Sequence, residues 1–131
     1  MELSDSETKV SVLVVDDNES MREVLATILS MSGHRCESAE NGVEAMEKVM
    51  QSRFDVVVTD VDMPEMDGIA LTKELTQHFS NLPVMIMTGD DGSEESAIDA
   101  GAREFLRKPF DFSEFIVKFH KILCVQKIAT E

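Results

Sequence analysis

The 131-residue chain has no tryptophan and no tyrosine. Seven phenylalanines are the only large aromatic side chains, which disfavours a role built on stacking against bases or sugars. Positive charge is scarce as well: 12 Lys and Arg stand against 26 Asp and Glu, for a net charge of −14. Direct nucleic-acid binding needs a basic surface for phosphate contacts, and this chain has the opposite. The same charge argues against an anionic membrane surface. Most of these acids read as solvated exterior. Cysteine is limited to Cys36 and Cys124, which match no metal-ligand spacing, so reduced thiols are expected. No apolar run approaches the length of a membrane span, and residues 1–9 lack the charged-then-apolar form of a secretory signal. A cytoplasmic protein without membrane insertion is the resulting expectation.

What remains is an ordinary globular composition, 43% apolar, in a length that suits one domain with a real core. There is no internal repeat, low-complexity stretch or dividing linker. The expected organisation is a domain over residues 10–125, with short tails at 1–9 and 126–131. Short apolar runs at 10–15, 34–38, 55–60, 83–88 and 104–107 read as strands. Helical periodicity lies between them. Met21, Val24, Leu25, Ile28 and Leu29 recur at three and four residues before Gly33, a C-terminal stop. Val43, Met46, Val49 and Met50 follow Asn41 and Glu44, a capping-box pair. Leu71, Leu75 and Phe79 mark a third helix. Phe112, Phe115, Ile116, Phe119 and Leu123 mark the last, opened by Asp111 and Glu114. These Met and Phe stripes read as core rather than as a cofactor pocket. The segment 91–100, with Asp91 and Glu94 as caps and Gly101 as terminator, has Ile98 as its one large apolar side chain. It is expected to be a weakly supported, mobile helix. Strands alternating with helices imply an α/β fold: a doubly wound, five-stranded parallel sheet with helices on both faces.

Parallel strands place their carboxyl ends along one edge, where open α/β sheets bind ligands. Asp60 ends the run Val56-Val57-Val58-Thr59, and Asp16-Asp17 ends Val12-Leu13-Val14-Val15. Three acids at two buried strand tips repel one another unless a cation sits among them. Thr88 closes the strand Val84-Met85-Ile86-Met87 before Gly89, and Lys108 follows the fifth strand, before Pro109. Acids for a hard cation, a hydroxyl and an ammonium are the parts that hold a transferring phosphoryl group. Asp60 is the candidate nucleophile, because carboxylates form aspartyl-phosphates. Any one of the three acids could instead cap a helix; all three on one edge with Thr88 and Lys108 argue against coincidence.

These residues, in this order, resemble the receiver domain of two-component response regulators. The matching features are Asp16-Asp17, the segment Asp60…Met63-Pro64…Met66-Asp67-Gly68, Thr88, and Gly101-Ala102…Phe105-Leu106…Lys108-Pro109-Phe110. The resemblance covers residues 10–123 and implies a flavodoxin-like sheet of strand order 2-1-3-4-5. It implies that Asp60 accepts a phosphoryl group from a histidine kinase or histidine phosphotransfer protein. It further implies that Asp16, Asp17, Asp60 and the backbone carbonyl of Asp62 hold Mg2+ (or Mn2+). Thr88 would bind a phosphoryl oxygen and Lys108 would pair with the phosphate. Phe105 would be the aromatic switch that turns inward as Thr88 moves, reshaping a C-terminal face read by an unidentified downstream protein. Beyond self-phosphorylation from a donor and slow autodephosphorylation, no enzymatic activity is implied, and the domain is expected to act as a stand-alone switch.

Half of the basic residues (Arg103, Arg107, Lys108, Lys118, Lys121 and Lys127) fall in the last thirty positions, so the contact patch is expected there. Asp62 has two readings: it positions an attacking water and shortens the phosphorylated lifetime, or it is a hydrated rim acid. The rival from another class is a small haloacid-dehalogenase-type phosphatase, whose nucleophile motif Asp60-Val61-Asp62 resembles. The acidic pair in the first strand and the Pro64…Met66-Asp67-Gly68 segment speak against it. A phosphate-independent adaptor with a vestigial site is a third reading, weakened by the complete set of site residues.

Overall fold

The computed structural model describes residues 9–89 and 93–130, the last six of these as backbone alone. The expected cap Asp91 and the N-terminal tail through Thr8 lie outside them. Five strands alternate with five helices. The strands are β1 (Ser11–Val15), β2 (Arg35–Ala39), β3 (Val56–Asp60), β4 (Val84–Thr88) and β5 (Glu104–Arg107). The helices are α1 (Glu19–Met31), α2 (Gly42–Gln51), α3 (Gly68–His78), α4 (Glu94–Ala100) and α5 (Phe112–Thr130). All pairings are parallel, in the order β2-β1-β3-β4-β5. The crossover switches direction between β1 and β3, which opens a crevice at their carboxyl ends.

Period-two alternation sorts the core into two layers. Leu13, Val15, Val57, Val84 and Ile86 pack with Ala45, Val49, Leu71, Leu75 and Ala97 under α2, α3 and α4. Val12, Val14, Val56, Val58, Met85, Met87 and Leu106 pack with Leu25, Leu29, Phe115, Phe119 and Ile122 under α1 and α5. β3 and β4 are buried at every position because both faces are covered. That is why their sequences read as continuous apolar runs rather than alternating ones.

The caps form largely where the side chains foretold them. Asn41 accepts from the Glu44 amide at 2.8 Å, while Glu44 reaches back to the Glu40 amide rather than to Asn41. Asp111 and Glu114 make the reciprocal pair at 2.9 and 3.0 Å. Gly33 and Gly101 end α1 and α4 at φ of 91° and 108°, backbone that a Cβ disfavours. α4 packs through Ala97 and Ala100, and Ile98 is left 58% exposed. Its apolar burial is therefore small, as its composition implied.

One buried polar group carries a pH consequence. His34, 6% exposed, accepts the Val10 amide on Nδ1 at 3.2 Å and meets the Phe119 ring edge-on at 5.1 Å. Its Nε2 carries the proton and has no partner among the described residues. Burial, and secondly the nearby His120, push its pKa below the ordinary 6.5. Below pH 6.5 the unfolded chain then binds a proton that the folded chain refuses, so stability falls as pH drops through that value. Urea midpoints should decline between pH 7.5 and 5.5, and a His34→Gln variant should show a flatter profile; parallel profiles would contradict this.

Candidate functional site

Three carboxylates meet at the edge where β1 and β3 end. Oxygens of Asp16, Asp17 and Asp60 lie within 4.8 Å of one another. Asp16 and Asp60 are buried, at 1% and 5% exposure, and Asp17 is open to solvent. Lys108 reaches in from the end of β5 and bridges two of them, 3.0 Å from Asp60 Oδ1 and 3.4 Å from Asp16 Oδ2. Its backbone is anchored beside β4 by a 2.7 Å bond from its amide to the Thr88 carbonyl, and the Lys108–Pro109 peptide is cis. Thr88 itself is fully buried at the tip of β4, one residue beyond the Asp60–Met87 register pair. The structure thus brings Asp16, Asp17, Asp60, Thr88 and Lys108 to one edge from four strands.

The electrostatics follow from crowding. Three negative groups face one ammonium, an excess of two negative charges. Burial raises the Asp60 pKa most; its bond to Lys108 opposes the rise, and the charges of Asp16 and Asp62 add to it. For Lys108, burial works against the ammonium, but the bond to Asp60 and the charges of Asp16 and Asp60 outweigh it, and its pKa rises. The Lys108 rise reflects the acids around it, whereas the Asp60 rise reflects burial first and its acidic neighbours second. The site's donors are hard, anionic oxygens, and Asp17 leaves one side open to retained water. This is the donor chemistry of Mg2+ or Mn2+ rather than of a soft metal. Among the described residues the Asp62 carbonyl accepts no hydrogen bond, so it is available to such an ion. The Asp62 carboxylate is exposed and likewise unpartnered among the described residues.

The loop after β3 is shaped by close backbone approach. Val61 continues the ladder by donating to Met87 at 3.0 Å, and the Gly68 amide returns to the Val61 carbonyl at 2.9 Å. A Cβ on Gly68 would overlap the Asp60 carbonyl oxygen, and it would come within 2.9 Å of the Val61 Cα. Asp67 then caps α3 by accepting the Ala70 amide at 2.8 Å, and Glu65 turns the chain at a φ of 68°. The Asp67-Gly68 pair therefore folds the loop tightly against the backbone of Asp60. Phe105 is half-buried on β5, opposite Ile86, and packs against the layer under α2, α3 and α4. By strand alternation Thr88 shares that face. A cavity of about 410 Å³ lined by Ile98, Ala102, Phe105 and Lys118 lies beside it.

Sequence reasoning passed over Asn18 and Arg22. Asn18 accepts the Met21 amide to cap α1 and donates its own amide to Asp16 Oδ1, both at 2.9 Å. Arg22 donates to the Asp16 carbonyl at 2.8 Å. An Asn directly after an acidic pair and before a helical period is a cap signal that could have identified the first. Arg22 had no such signal, because its partner is a backbone carbonyl.

The chain is similar to known proteins over most of its length. The model of the response regulator receiver domain matches residues 12–120. The response regulator MprA of Mycobacterium sp. (strain KMS) is 38% identical over 116 residues, 87% of this chain and 50% of that protein. The chain thus spans about half the length of the curated relatives it matches. The Vibrio cholerae chemotaxis protein CheY4 superposes with a TM-score of 0.81 at 29% identity, covering 86% of this chain and 98% of that one. TrrA of Thermotoga maritima, solved in complex with Mg(2+)-BeF, gives 0.80 at 30% identity, covering 85% and 96%.

Two outcomes are expected. Gly68→Ala should destabilise the protein by about 1–3 kcal/mol, because the loop must shift off the Asp60 backbone; denaturant titration measures it. Calorimetry should show one Mg2+ site in the native protein, weakened about tenfold or more in Asp17→Asn with an unchanged melting temperature in EDTA. Equal affinities would remove Asp17 from the metal set.

Proposed function

The chain belongs to the response regulator receiver domain family, and on that premise we propose that Asp60 is its phosphoacceptor. The observation that supports this most is a buried carboxylate 3.0 Å from a bridging lysine and within 4.8 Å of two further acids. The donor is a histidine kinase or histidine phosphotransfer protein. An Asp60 oxygen attacks phosphorus, the P–N bond of the donor's phosphohistidine breaks, and its electron pair leaves with the imidazole. Burial makes that oxygen more basic than an ordinary aspartate and hence a better nucleophile. Lys108, paired with Asp60 beforehand, follows the charge to the phosphoryl oxygens. Thr88, at the neighbouring strand tip, donates its hydroxyl to one of them. Asp17 and Asp60, with Asp16 in support and the Asp62 carbonyl completing the set, would hold Mg2+ (or Mn2+), which when bound would offset repulsion between carboxylate and phosphoryl group. Hydrolysis reverses the attachment: water attacks phosphorus, the P–O bond to Asp60 breaks, and inorganic phosphate departs.

Output follows from the same geometry. A dianionic group at Asp60 draws Thr88 toward it and vacates space on the face it shares with Phe105. Phe105 borders a cavity into which its ring can turn, and α4, held mainly by two buried alanines, is the element that yields. The surface formed by α4, β5 and α5 is our candidate contact face for a downstream protein. Its lysines act differently from simple charge display. Lys118 and Lys121 pair with Glu104 at 3.8 and 3.7 Å, and Lys118 also donates to the Phe105 carbonyl at 2.7 Å. They brace β5 against α5, so reversing their charge would disturb the switch itself as well as any contact. The phosphatase reading is not favoured, since the second acidic element lies in β1 and the matching family is the receiver.

Incubation with acetyl phosphate and Mg2+ should add one phosphate to the native chain by intact mass and none to Asp60→Asn. Phosphate on both would place the acceptor elsewhere, and sustained phosphomonoester turnover would favour the phosphatase.

A further inference from the structure

Asp16 is tied at each of its polar atoms. Its amide donates to the Ala39 carbonyl at 3.1 Å, Oδ1 accepts the Asn18 amide at 2.9 Å, and Oδ2 faces Lys108 at 3.4 Å. Its carbonyl accepts Nη1 of Arg22, a half-buried side chain one turn into α1, at 2.8 Å. The ring closes through Asn18, whose side chain accepts the Met21 amide and whose carbonyl accepts the Arg22 amide at 3.1 Å. Loop and helix are thereby joined into one unit.

Asp17 stands apart from this ring. It is exposed, and among the described residues its carboxylate has no hydrogen-bond or ion-pair partner, yet an oxygen of it comes within 4.8 Å of Asp16 and Asp60. Its placement therefore rests on the backbone. The Asp16–Asp17 peptide is planar, so holding the Asp16 carbonyl fixes the Asp17 Cα, the point from which its side chain must reach the cluster. The group that holds that carbonyl is Arg22.

We propose that Arg22 is a positioning residue of the metal centre: by gripping the Asp16 carbonyl it aims the Asp17 carboxylate at the ion. The inference rests on the reading that this acidic cluster binds Mg2+. It makes a prediction opposite in sign to simple electrostatics. A guanidinium beside a divalent site repels the ion, so if charge alone mattered, its removal would tighten binding. If orientation matters more, removal loosens binding, on the scale of about 10- to 100-fold known for outer-shell partners of metal ligands. A charge-assisted bond in a half-buried position favours the second outcome.

The test is Mg2+ calorimetry on native protein, Arg22→Met and Arg22→Lys, with melting temperatures in EDTA. Arg22→Met keeps the apolar stem and loses the donors; about tenfold weaker Mg2+ binding is expected, with partial recovery in Arg22→Lys, whose ammonium can reach the same carbonyl. Unchanged or tighter binding in Arg22→Met overturns the proposal, including the case where only the metal-free melting temperature falls, which would mean a purely structural role. Should Arg22→Met fail to fold, Arg22→Gln is measured in its place with the same interpretation. Failure of the native chain to bind Mg2+ would overturn the metal-site reading itself and this inference with it. That outcome is read before any variant is made.

Discussion

Repulsion among three carboxylates at one sheet edge is the constraint around which this molecule is organised. Two of them are buried at the tips of β1 and β3, where water cannot screen them. One lysine offsets part of that charge, and its reach across β4 from the end of β5 depends on the whole sheet being in register. Burial first, and the charges of Asp16 and Asp62 after it, push the Asp60 pKa up against the pull of Lys108. A receiver domain turns the same excess charge to use, because an oxygen-rich, anionic corner takes a hard cation, and the cation makes phosphoryl transfer to a carboxylate electrostatically tolerable.

The surrounding structure holds that corner rigid on one side and leaves it compliant on the other. On the β1 side, Asp16 is bonded through amide, carbonyl and both carboxylate oxygens, and Asn18 and Arg22 link it to α1. On the β3 side, Gly68 lets the following loop lie against the Asp60 backbone at a distance no side chain would permit. The β4–β5 side is looser. α4 buries mainly two alanines, Phe105 is only half-buried, and a cavity lies next to it. For the switch proposed above, a firmly bonded acidic corner beside a lightly packed helix is what is needed, since a small displacement at Thr88 then moves one element rather than the whole domain.

Much of the fold was legible from pattern because the relevant physics is local or periodic. Continuous apolar runs mark β3 and β4, since both of their faces are covered. Asn41 with Glu44 and Asp111 with Glu114 cap helices because a short side chain three residues from a free amide can reach it. Strand starts fell one residue inside the expected ones at β1, β3 and β4, and β2 slid by one residue at both ends, the ordinary latitude of element boundaries. The Glu44 reach-back chose the Glu40 amide, a choice of loop geometry that pattern does not encode. Lys118 and Lys121 read as displayed charge from sequence, but Glu104 and the Phe105 carbonyl claim them.

Sequence by itself determined which chemical groups are present and at which strand ends they fall: acids just after β1 and at the end of β3, a hydroxyl at the end of β4, an ammonium just after β5. Alternation and helical period suffice for that, because they depend on neighbours within a few residues. Tertiary structure decided which of those groups touch and how firmly. That Lys108 spans Asp60 and Asp16, and that Asp17 stays open while Asp16 is closed in, depend on contacts between distant segments, whereas the grip of Arg22 on the Asp16 carbonyl depends on how the loop turns into α1. Such contacts form only when the sheet and its covering helices bring those segments within a few ångströms, and a linear pattern carries no term for that distance.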